Sequence, residues 1–243
     1  MQVIGRNIRA IALVGPLVLF FLLAALIPHQ RESVDSGAAP IAAGGYLILV
    51  IVRVLLIGAV LAACWKLYLR EFPFQIDRWG WLVGVFGGVL WIVACGLNIE
   101  PRLLNSLGFS ETAVGARAGV DPFELYESNA YRWTFFAFRF TLLVVVVPIA
   151  EELFLRGFLI RVIDSDDWAE QPLDQIGKAG LIAGTVYGVL THPSEFVAAA
   201  LWFSLITLLM VRTGRFWNCV LAHAITNLIL GLYLCYTHNW QLW

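Results

Sequence analysis

Long apolar runs separated by short polar loops dominate the pattern of residues along this chain. A helix that crosses a membrane needs about 20 mostly apolar residues. Five runs meet that requirement, and they are Ala10–Pro28, Ala42–Trp65, Trp79–Ile99, Phe135–Ile160 and Phe216–Tyr236. The pattern therefore predicts an all-α fold, a polytopic transmembrane helical bundle.

Two shorter apolar stretches lie between the last two runs. Ala179–Thr191 is too short for a comfortable crossing and predicts a half-crossing with Pro193 near its turn, and Phe196–Val211 follows it. With these stretches the bundle has six to eight membrane segments. The polar loops are too short to form a domain, so we expect a single integral membrane domain over residues 1–243, with the distinctive motifs in 133–237 rather than in 1–132.

The composition agrees with a lipid environment. Hydrophobic residues make up 60% of the chain and charged residues 14%, whereas soluble domains average about 45–50% and about 25%. The net charge of −1 gives no electrostatic reason to expect a nucleic-acid partner. The first apolar run could be a signal peptide, but its length and the poor cleavage site "AALIPHQ" favour a retained helix.

Basic residues are unequally shared between the two sides of the predicted bundle, which favours a cytoplasmic N-terminus. The inner segments then carry nine of them, and the outer segments carry four. The inner residues are Arg6, Arg9, Lys66, Arg70, Arg78, Arg161, Lys178, Arg212 and Arg215, and the outer residues are Arg31, Arg102, Arg117 and Arg132.

A few ionisable residues fall inside the apolar runs, where each costs about 2.5–3.5 kcal/mol on insertion scales. Such residues mark functional positions. Arg139 is expected to extend outward to the interface. Arg53 is expected to pair with Glu151 or Glu152, or to meet a substrate carboxylate. The complete set is Arg53, Arg139, Glu151, Glu152, Arg156, His192 and His223, with Asn227 as a polar companion.

The two adjacent glutamates have different expected roles. Glu152 and Arg156 are four residues apart, so they share a helical face and can neutralise each other. Glu151 points about 100° away from Glu152 and is left to face the interior of the bundle. Pro148 should free the carbonyl of Val144, which a membrane tolerates only beside protein or a water-filled cavity.

His223 and Asn227 share one face of the last helix, and their depth matches that of Glu151. His223 lies about 12 Å from Arg215 and Glu151 about 15 Å from Arg161 at 1.5 Å per residue. His192 reaches the same level if the short hairpin turns in mid-membrane. A carboxylate in an apolar environment can act as a general base on water. The two histidines can hold that water, bind a metal or stabilise charge, and the asparagine NH₂ can donate to an oxyanion, so the set predicts a site that hydrolyses an amide bond.

These residues resemble the motifs of the CPBP family of intramembrane endopeptidases, also called the CAAX-protease and bacteriocin-processing (Abi) family. The resemblance covers Phe135–Tyr236. The chain departs from the middle motif, FxxxH, because Gly188 takes the aromatic position and Tyr187 stands beside it. The stretches "THP" and "AHAITNLILGLYL" are similar to a bacterial CAAX prenyl protease-related subgroup associated with exosortase sorting systems. The matching residues are Glu151, Glu152 and Arg156 for EExxxR, His192 for the middle motif, and His223 and Asn227 for HxxxN.

The resemblance implies an enzyme that cleaves a membrane-associated protein or peptide, in the bacterial inner membrane. It implies that Glu151 activates water, that His192 and His223 complete the site, and that Asn227 contributes to an oxyanion hole, with Glu152 and Arg156 in support. Whether a metal takes part stays open. If one does, zinc held by Glu151, His192 and His223 with one open position would suit the chemistry.

Two other functions remain open from the sequence. In a small proton-coupled transporter the buried ionisable residues would form a relay, and Glu151→Gln would alter coupling rather than abolish turnover. A non-catalytic scaffold or immunity protein of the same fold would keep its phenotype in Glu151→Ala.

Overall fold

The computed structural model describes residues 2–25, 43–110 and 119–240, with side chains from Gly5 onward. The predicted all-α, polytopic fold is confirmed, since 84% of the described residues are helical and none of them forms a strand. The helices are α1 (Gln2–Ala25), α2 (Ala43–Glu71), α3 (Arg78–Gly96), α4 (Ile99–Ser106), α5 (Pro122–Leu125), α6 (Asn129–Asp164, with two π-helical turns), α7 (Lys178–Thr191), α8 (Phe196–Thr213) and α9 (Phe216–Thr237).

Six helical segments in the described ranges are long and apolar enough to cross a membrane, which agrees with the predicted six to eight. They are Gly5–Ala25, Ala43–Glu71, Arg78–Gly96, Asn129–Asp164, Pro193–Thr213 and Phe216–Thr237. α7 has only 14 residues and is not among them. Residues 26–28 of the first predicted run, and the basic residues Arg31 and Arg117, lie outside the described ranges.

The tip of the α7–α8 hairpin lies near the C-terminal end of α3. The backbone N–H of Val197, at the start of α8, donates to Glu100 Oε1 at 3.1 Å, and Glu100 follows α3 by only a few residues. The hairpin therefore extends to the level of that end of the bundle, farther than a turn at mid-membrane would place it.

α9 lies against α3 through a row of glycines. A Cβ added to Gly84 would lie 2.9 Å from the carbonyl oxygen of Ala222 and 2.8 Å from Cβ of Ile225. Thr226 donates to the carbonyl of Gly84 at 3.0 Å and accepts from Trp202 Nε1 at 3.1 Å. Small residues allow such close backbone approach between membrane helices, and here they fix α9 between α3 and α8. The other glycines of the row are Gly80, Gly87 and Gly88.

Polar contacts hold the helices together at the end of the bundle where α3 and α9 begin. Asp77 caps α3 by accepting from the N–H of Trp79 at 2.9 Å, and it also accepts from Arg215 at 2.5 Å and Asn218 at 3.0 Å at the start of α9. An Asp N-cap satisfies one of the otherwise unpaired N–H groups of the first turn. These contacts set the axial position of α9 relative to α3.

α6 changes helical register on both sides of its acidic segment. The turns Leu142–Val146 and Leu155–Leu159 are π-helical, and α-helix covers Val147–Phe154 between them. Single π-helical turns within α-helices occur frequently at functional sites. The two register changes isolate one short stretch of α6, and that stretch carries Glu151 and Glu152.

The π turn before Pro148 leaves a carbonyl without a backbone donor that the sequence prediction did not include. In the first π turn the N–H of Val147 donates to the carbonyl of Leu142, five residues earlier. The next donor in this register would be residue 148, but proline has no N–H. The carbonyl of Leu143 therefore has no backbone donor in this register, and the side chain of Asn227 donates to it at 2.9 Å. That Pro148 also frees the carbonyl of Val144 stays a prediction.

Candidate active site

A cavity of about 150 Å³ lies inside the bundle between α3, α6, α8 and α9. All four residues predicted to be catalytic contribute to its wall: Glu151 from α6, His192 from the α7–α8 turn, and His223 and Asn227 from α9. Apolar side chains that include Trp91 complete the lining. Three segments far apart in the chain thus converge on one space, and His192 reaches it although the hairpin extends beyond the level of a mid-membrane turn.

Glu152 is the centre of a buried polar network. Its Oε1 accepts from Arg156 Nη1 at 3.0 Å and lies 2.9 Å from His223 Nδ1. Glu152 and Arg156 are both fully buried. Arg156 also donates to the carbonyl of Phe203 at 3.2 Å and to Thr207 Oγ1 at 3.5 Å. The predicted i, i+4 pair is present, and it additionally holds the imidazole of α9.

His223 stands between the two adjacent glutamates. The carboxylate of Glu152 accepts from Nδ1, which assigns the proton to that nitrogen and leaves Nε2 facing Glu151. His223 Nε2 and Glu151 Oε2 are 3.7 Å apart, too far for a direct hydrogen bond. The Trp202 ring packs edge-on against the imidazole with centroids 4.7 Å apart. The ring of His223 is therefore fixed in both tautomer and orientation.

His192 reaches the cavity from the end of α7. Its Nδ1 lies 3.2 Å from the carbonyl oxygen of Gly188 and 2.9 Å from Thr191 Oγ1. A carbonyl can only accept, so Nδ1 carries the proton of the neutral ring and Nε2 is the acceptor. The rings of Trp91 and Phe203 flank the imidazole at centroid distances of 5.3 and 5.5 Å.

The packing around Gly188 explains the departure from the FxxxH pattern. A Cβ at Gly188 would come within 2.2 Å of Phe203 Cδ2, so no larger side chain fits there. The aromatic ring of Phe203, from the neighbouring helix α8, occupies this space and contacts His192. An aromatic ring still supports the histidine, but another helix supplies it.

Asn227 links the last helix to the π turn of α6. Its Nδ2 is the donor to Leu143, as described above, and the side chain also lines the cavity. An asparagine NH₂ has two hydrogens, so this contact uses one and leaves one for a further acceptor. Asn227 therefore stabilises the helix break directly before Glu151 while keeping a donor for chemistry.

The comparison with protein families is consistent with this geometry. Residues 133–229 match the family model described as Rce1-like, type II CAAX prenyl endopeptidase. This segment, less than half of the chain, is similar to the CPBP family. The predicted resemblance is confirmed, and every predicted site residue lies inside the matched range. No curated protein and no solved structure matches the chain, and the exosortase-associated subgroup stays a prediction.

The family assignment supports a membrane protease as the general function of the Rce1-like segment. Together with the six apolar helical segments, it also supports an integral, multi-pass membrane protein. The match names no residues and no substrate. The roles of Glu151, His192, His223 and Asn227 therefore remain predictions that rest on the geometry.

The sequence analysis did not identify two aromatic residues that lie beside the candidate active site. The buried hydroxyl of Tyr187 lies beside the carboxylate of Glu151 and interacts with it. Trp202 packs on His223 and donates to Thr226. The sequence contains 33 aromatic residues among its Trp, Tyr and Phe, and nothing in their spacing distinguishes these two. Only the position of Tyr187 next to Gly188 drew attention to it.

Two further arginines of the membrane segments were considered from the sequence. Arg139 lines the cavity wall, and its predicted extension to the interface stays a prediction. Arg53 is buried, and its guanidinium lies over the ring of Phe20, 4.5 Å from the centroid. The ion pairs of the two glutamates are with His223 and Arg156, so the predicted pairing of Arg53 with Glu151 or Glu152 was wrong.

The donors around the cavity do not form a complete metal site. In the described ranges, no group of three or more His, Cys, Asp or Glu side chains is placed to hold an ion. Nδ1 of His223 is engaged with Glu152 and Nδ1 of His192 with Gly188, which leaves the two Nε2 atoms as the ring nitrogens that could bind a metal. The zinc set of Glu151, His192 and His223 stays a prediction, and no step below passes through a metal.

Proposed function

We propose that the protein is an intramembrane endopeptidase that hydrolyses a peptide bond of a membrane-associated protein or peptide. The observation that carries this proposal is the position of Glu151. It faces a cavity inside the bundle, 3.7 Å from the Nε2 atom of His223, while the neighbouring Glu152 neutralises Arg156 and orients that imidazole. One carboxylate is thus engaged in structure and the other is available for chemistry.

Water activation is the first step. Glu151 accepts a proton from a water molecule as the water oxygen forms a bond to the carbonyl carbon of the substrate. Nε2 of His192, the acceptor atom of that ring, holds the second hydrogen of this water. A positioned general base contributes about 10²–10⁴ in rate. The electrons of the carbonyl double bond move to its oxygen, which becomes an oxyanion.

The oxyanion then needs a donor, and Asn227 supplies it. The Nδ2 hydrogen not used by Leu143 is available for this bond, and a single such donor is worth about 10²–10³ in turnover. Glu151 passes its proton to the amide nitrogen, with His223 Nε2 placed to share that proton. The C–N bond breaks, and the products are a new carboxyl group and a free amine.

Glu152 acts on the reaction through His223 in this proposal. Its carboxylate keeps the proton on Nδ1 and the lone pair of Nε2 toward Glu151. This is the role of the carboxylate that orients a catalytic histidine in hydrolytic triads. Arg156 holds Glu152 in place from the opposite side, through a bond that is entirely buried.

The test of this function is cleavage by the purified protein. Wild-type protein in detergent is incubated in H₂¹⁸O with a library of peptides from the membrane-proximal termini of membrane proteins, and products are identified by mass spectrometry. We expect products with one ¹⁸O in the new carboxyl group and continued cleavage in the presence of a chelator. Absence of any cleaved peptide across the library would count against the enzyme and favour the scaffold or transporter alternative.

A further inference from the structure

The cavity is elongated along the axes of the helices that line it. The cavity is lined on α6 by every fourth residue, namely Arg139, Leu143, Val147 and Glu151. Arg139 and Glu151 are thus separated by about 18 Å at 1.5 Å per residue. On α9 the lining runs from His223 to Leu234, or about 16 Å by the same rise. Both walls extend from the catalytic pair toward the end of the bundle where α3 ends and α6 begins.

The opposite end of the cavity is closed. Below Glu151 and His223, the side chains of Glu152, Arg156 and Cys219 are fully buried, and Phe216 is nearly so. Toward the other end, in contrast, the lining residues Arg139, Leu143, Asn227 and Leu230 are half-buried. Among the described residues, the wall that leads to Arg139 is therefore the less buried route by which water and substrate can approach the catalytic pair.

The number of basic residues at each end of the bundle indicates which side of the membrane that end faces. The closed end is the end where α1 begins, because Arg9 reaches Glu71 at the end of α2 and Arg161 reaches the same carboxylate from α6. Nine of the thirteen basic residues in the loops and helix ends belong to this end. An excess of Lys and Arg marks the cytoplasmic side of a membrane protein, so the open end faces away from the cytoplasm.

We propose that the active site is entered from the extracytoplasmic side, and that its substrates are membrane-associated proteins whose cleaved segment lies outside the cytoplasm. The identification of these proteins as substrates rests on the proposed function. The accessibility of the cavity does not, because it can be measured on protein that is not turning over.

The experiment compares two cysteine variants of α9 at the same depth. Leu230→Cys places a thiol on the cavity wall, and Leu232→Cys places one on the exposed, lipid-facing side of the helix. Cys64, Cys95 and Cys235 are first replaced by alanine, while the fully buried Cys219 is kept. A membrane-impermeant maleimide is applied to spheroplasts of bacterial cells that express each variant, and to inverted membrane vesicles.

We expect the Leu230→Cys thiol to be labelled in spheroplasts at least about tenfold faster than the Leu232→Cys thiol, because maleimides react with thiolates and thiols ionise in water but not in lipid. Phe109→Cys and Phe74→Cys, at exposed positions near the outer and inner ends, are controls that show which side of the membrane the maleimide reaches. They should be labelled only in spheroplasts and only in inverted vesicles, respectively. Labelling of the Leu230→Cys thiol only from the vesicle side, equal labelling of both α9 thiols, or reversed side controls would each overturn the proposal.

A second measurement needs no cysteine variant. A peptide cleaved by the wild-type protein in detergent is added to spheroplasts and to inverted vesicles. Cleavage in spheroplasts supports entry from outside, and cleavage only in vesicles overturns it. A failure of the proposed function looks different, since the peptide would then be intact in detergent as well.

Discussion

Glu152→Gln separates the structural and catalytic contributions of the buried network. The substitution keeps the size of the side chain and one acceptor oxygen, but it removes the negative charge between Arg156 and His223. Removing one partner of a buried ion pair costs about 3–5 kcal/mol, because the other charge stays buried without compensation. Arg156 keeps its contacts with the Phe203 carbonyl and Thr207, so we expect the lower limit, about 3 kcal/mol.

That loss should be visible as a lower unfolding temperature. For a protein of this size, 1 kcal/mol corresponds to about 2–4 °C, so thermal unfolding in detergent should occur about 6–12 °C lower. Turnover should fall by up to about 10⁴-fold at temperatures where the variant is folded, which is the loss when the carboxylate that orients the histidine of a hydrolytic triad is replaced by an amide. Glu127→Gln, at an exposed position, is the control and should change neither quantity.

The double variant Glu152→Gln with Arg156→Met then tests the reasoning. Replacing a buried ion pair by neutral groups is often neutral or stabilising, so the double variant should recover most of the lost stability. It should not recover turnover, because His223 still lacks its carboxylate. A single variant that unfolds at the wild-type temperature, or a double variant that regains both stability and turnover, would refute this account of Glu152.

Three further predictions concern the surroundings of the site. Gly188→Ala should destabilise the protein by about 1–3 kcal/mol in thermal unfolding, because its Cβ overlaps the Phe203 ring; adding Phe203→Leu should relieve that overlap, and persistence of the full loss would contradict it. Asn227→Ala should lower turnover about 10²–10³-fold and also lower stability by about 1–3 kcal/mol, because the Leu143 carbonyl loses its donor; unchanged stability would show that this bond is unimportant. A chelator should leave cleavage rates unchanged, and loss of cleavage that added Zn²⁺ restores would establish the zinc alternative.

The fold was largely predictable because each membrane helix is specified locally. An apolar run of sufficient length has to form a helix in lipid, where every backbone group needs a partner, and the predicted runs correspond to α1, α2, α3, α6 and α9. The π turns of α6 were not predictable in the same way. Pro148 indicated a break, but the break depends on Asn227 of α9 donating to Leu143, a contact 84 residues away in the sequence.

The residues that converge on the cavity were predictable for a different reason. An ionisable side chain in a membrane segment has a high cost, so Glu151, His192 and His223 attracted attention without any knowledge of packing. Their orientations were not available from spacing alone. The spacing pairs Glu152 with Arg156 but gives no indication that Glu152 also holds His223, because that contact depends on the packing of α9 against α6.

Arg53 shows what the free-energy cost of a charge in the membrane does not predict, namely which group compensates that charge. A buried charge indicates that some compensation exists, and an acidic partner was the expected form. The structure provides an aromatic face instead, because α1 brings Phe20 against α2. The sequence could not select this partner, since cation–π contacts require only proximity to a ring and leave no spacing pattern.

The central claim is that Glu151 activates water, and it is tested most directly by the turnover of Glu151→Gln. The variant keeps the shape of the side chain but cannot accept a proton. Its cleavage rate should be measured on the same peptide and in the same detergent as the wild type, together with its unfolding temperature. We predict a loss of at least about 10²-fold in rate with little change in unfolding temperature. Cleavage at the wild-type rate by folded Glu151→Gln protein would contradict the claim.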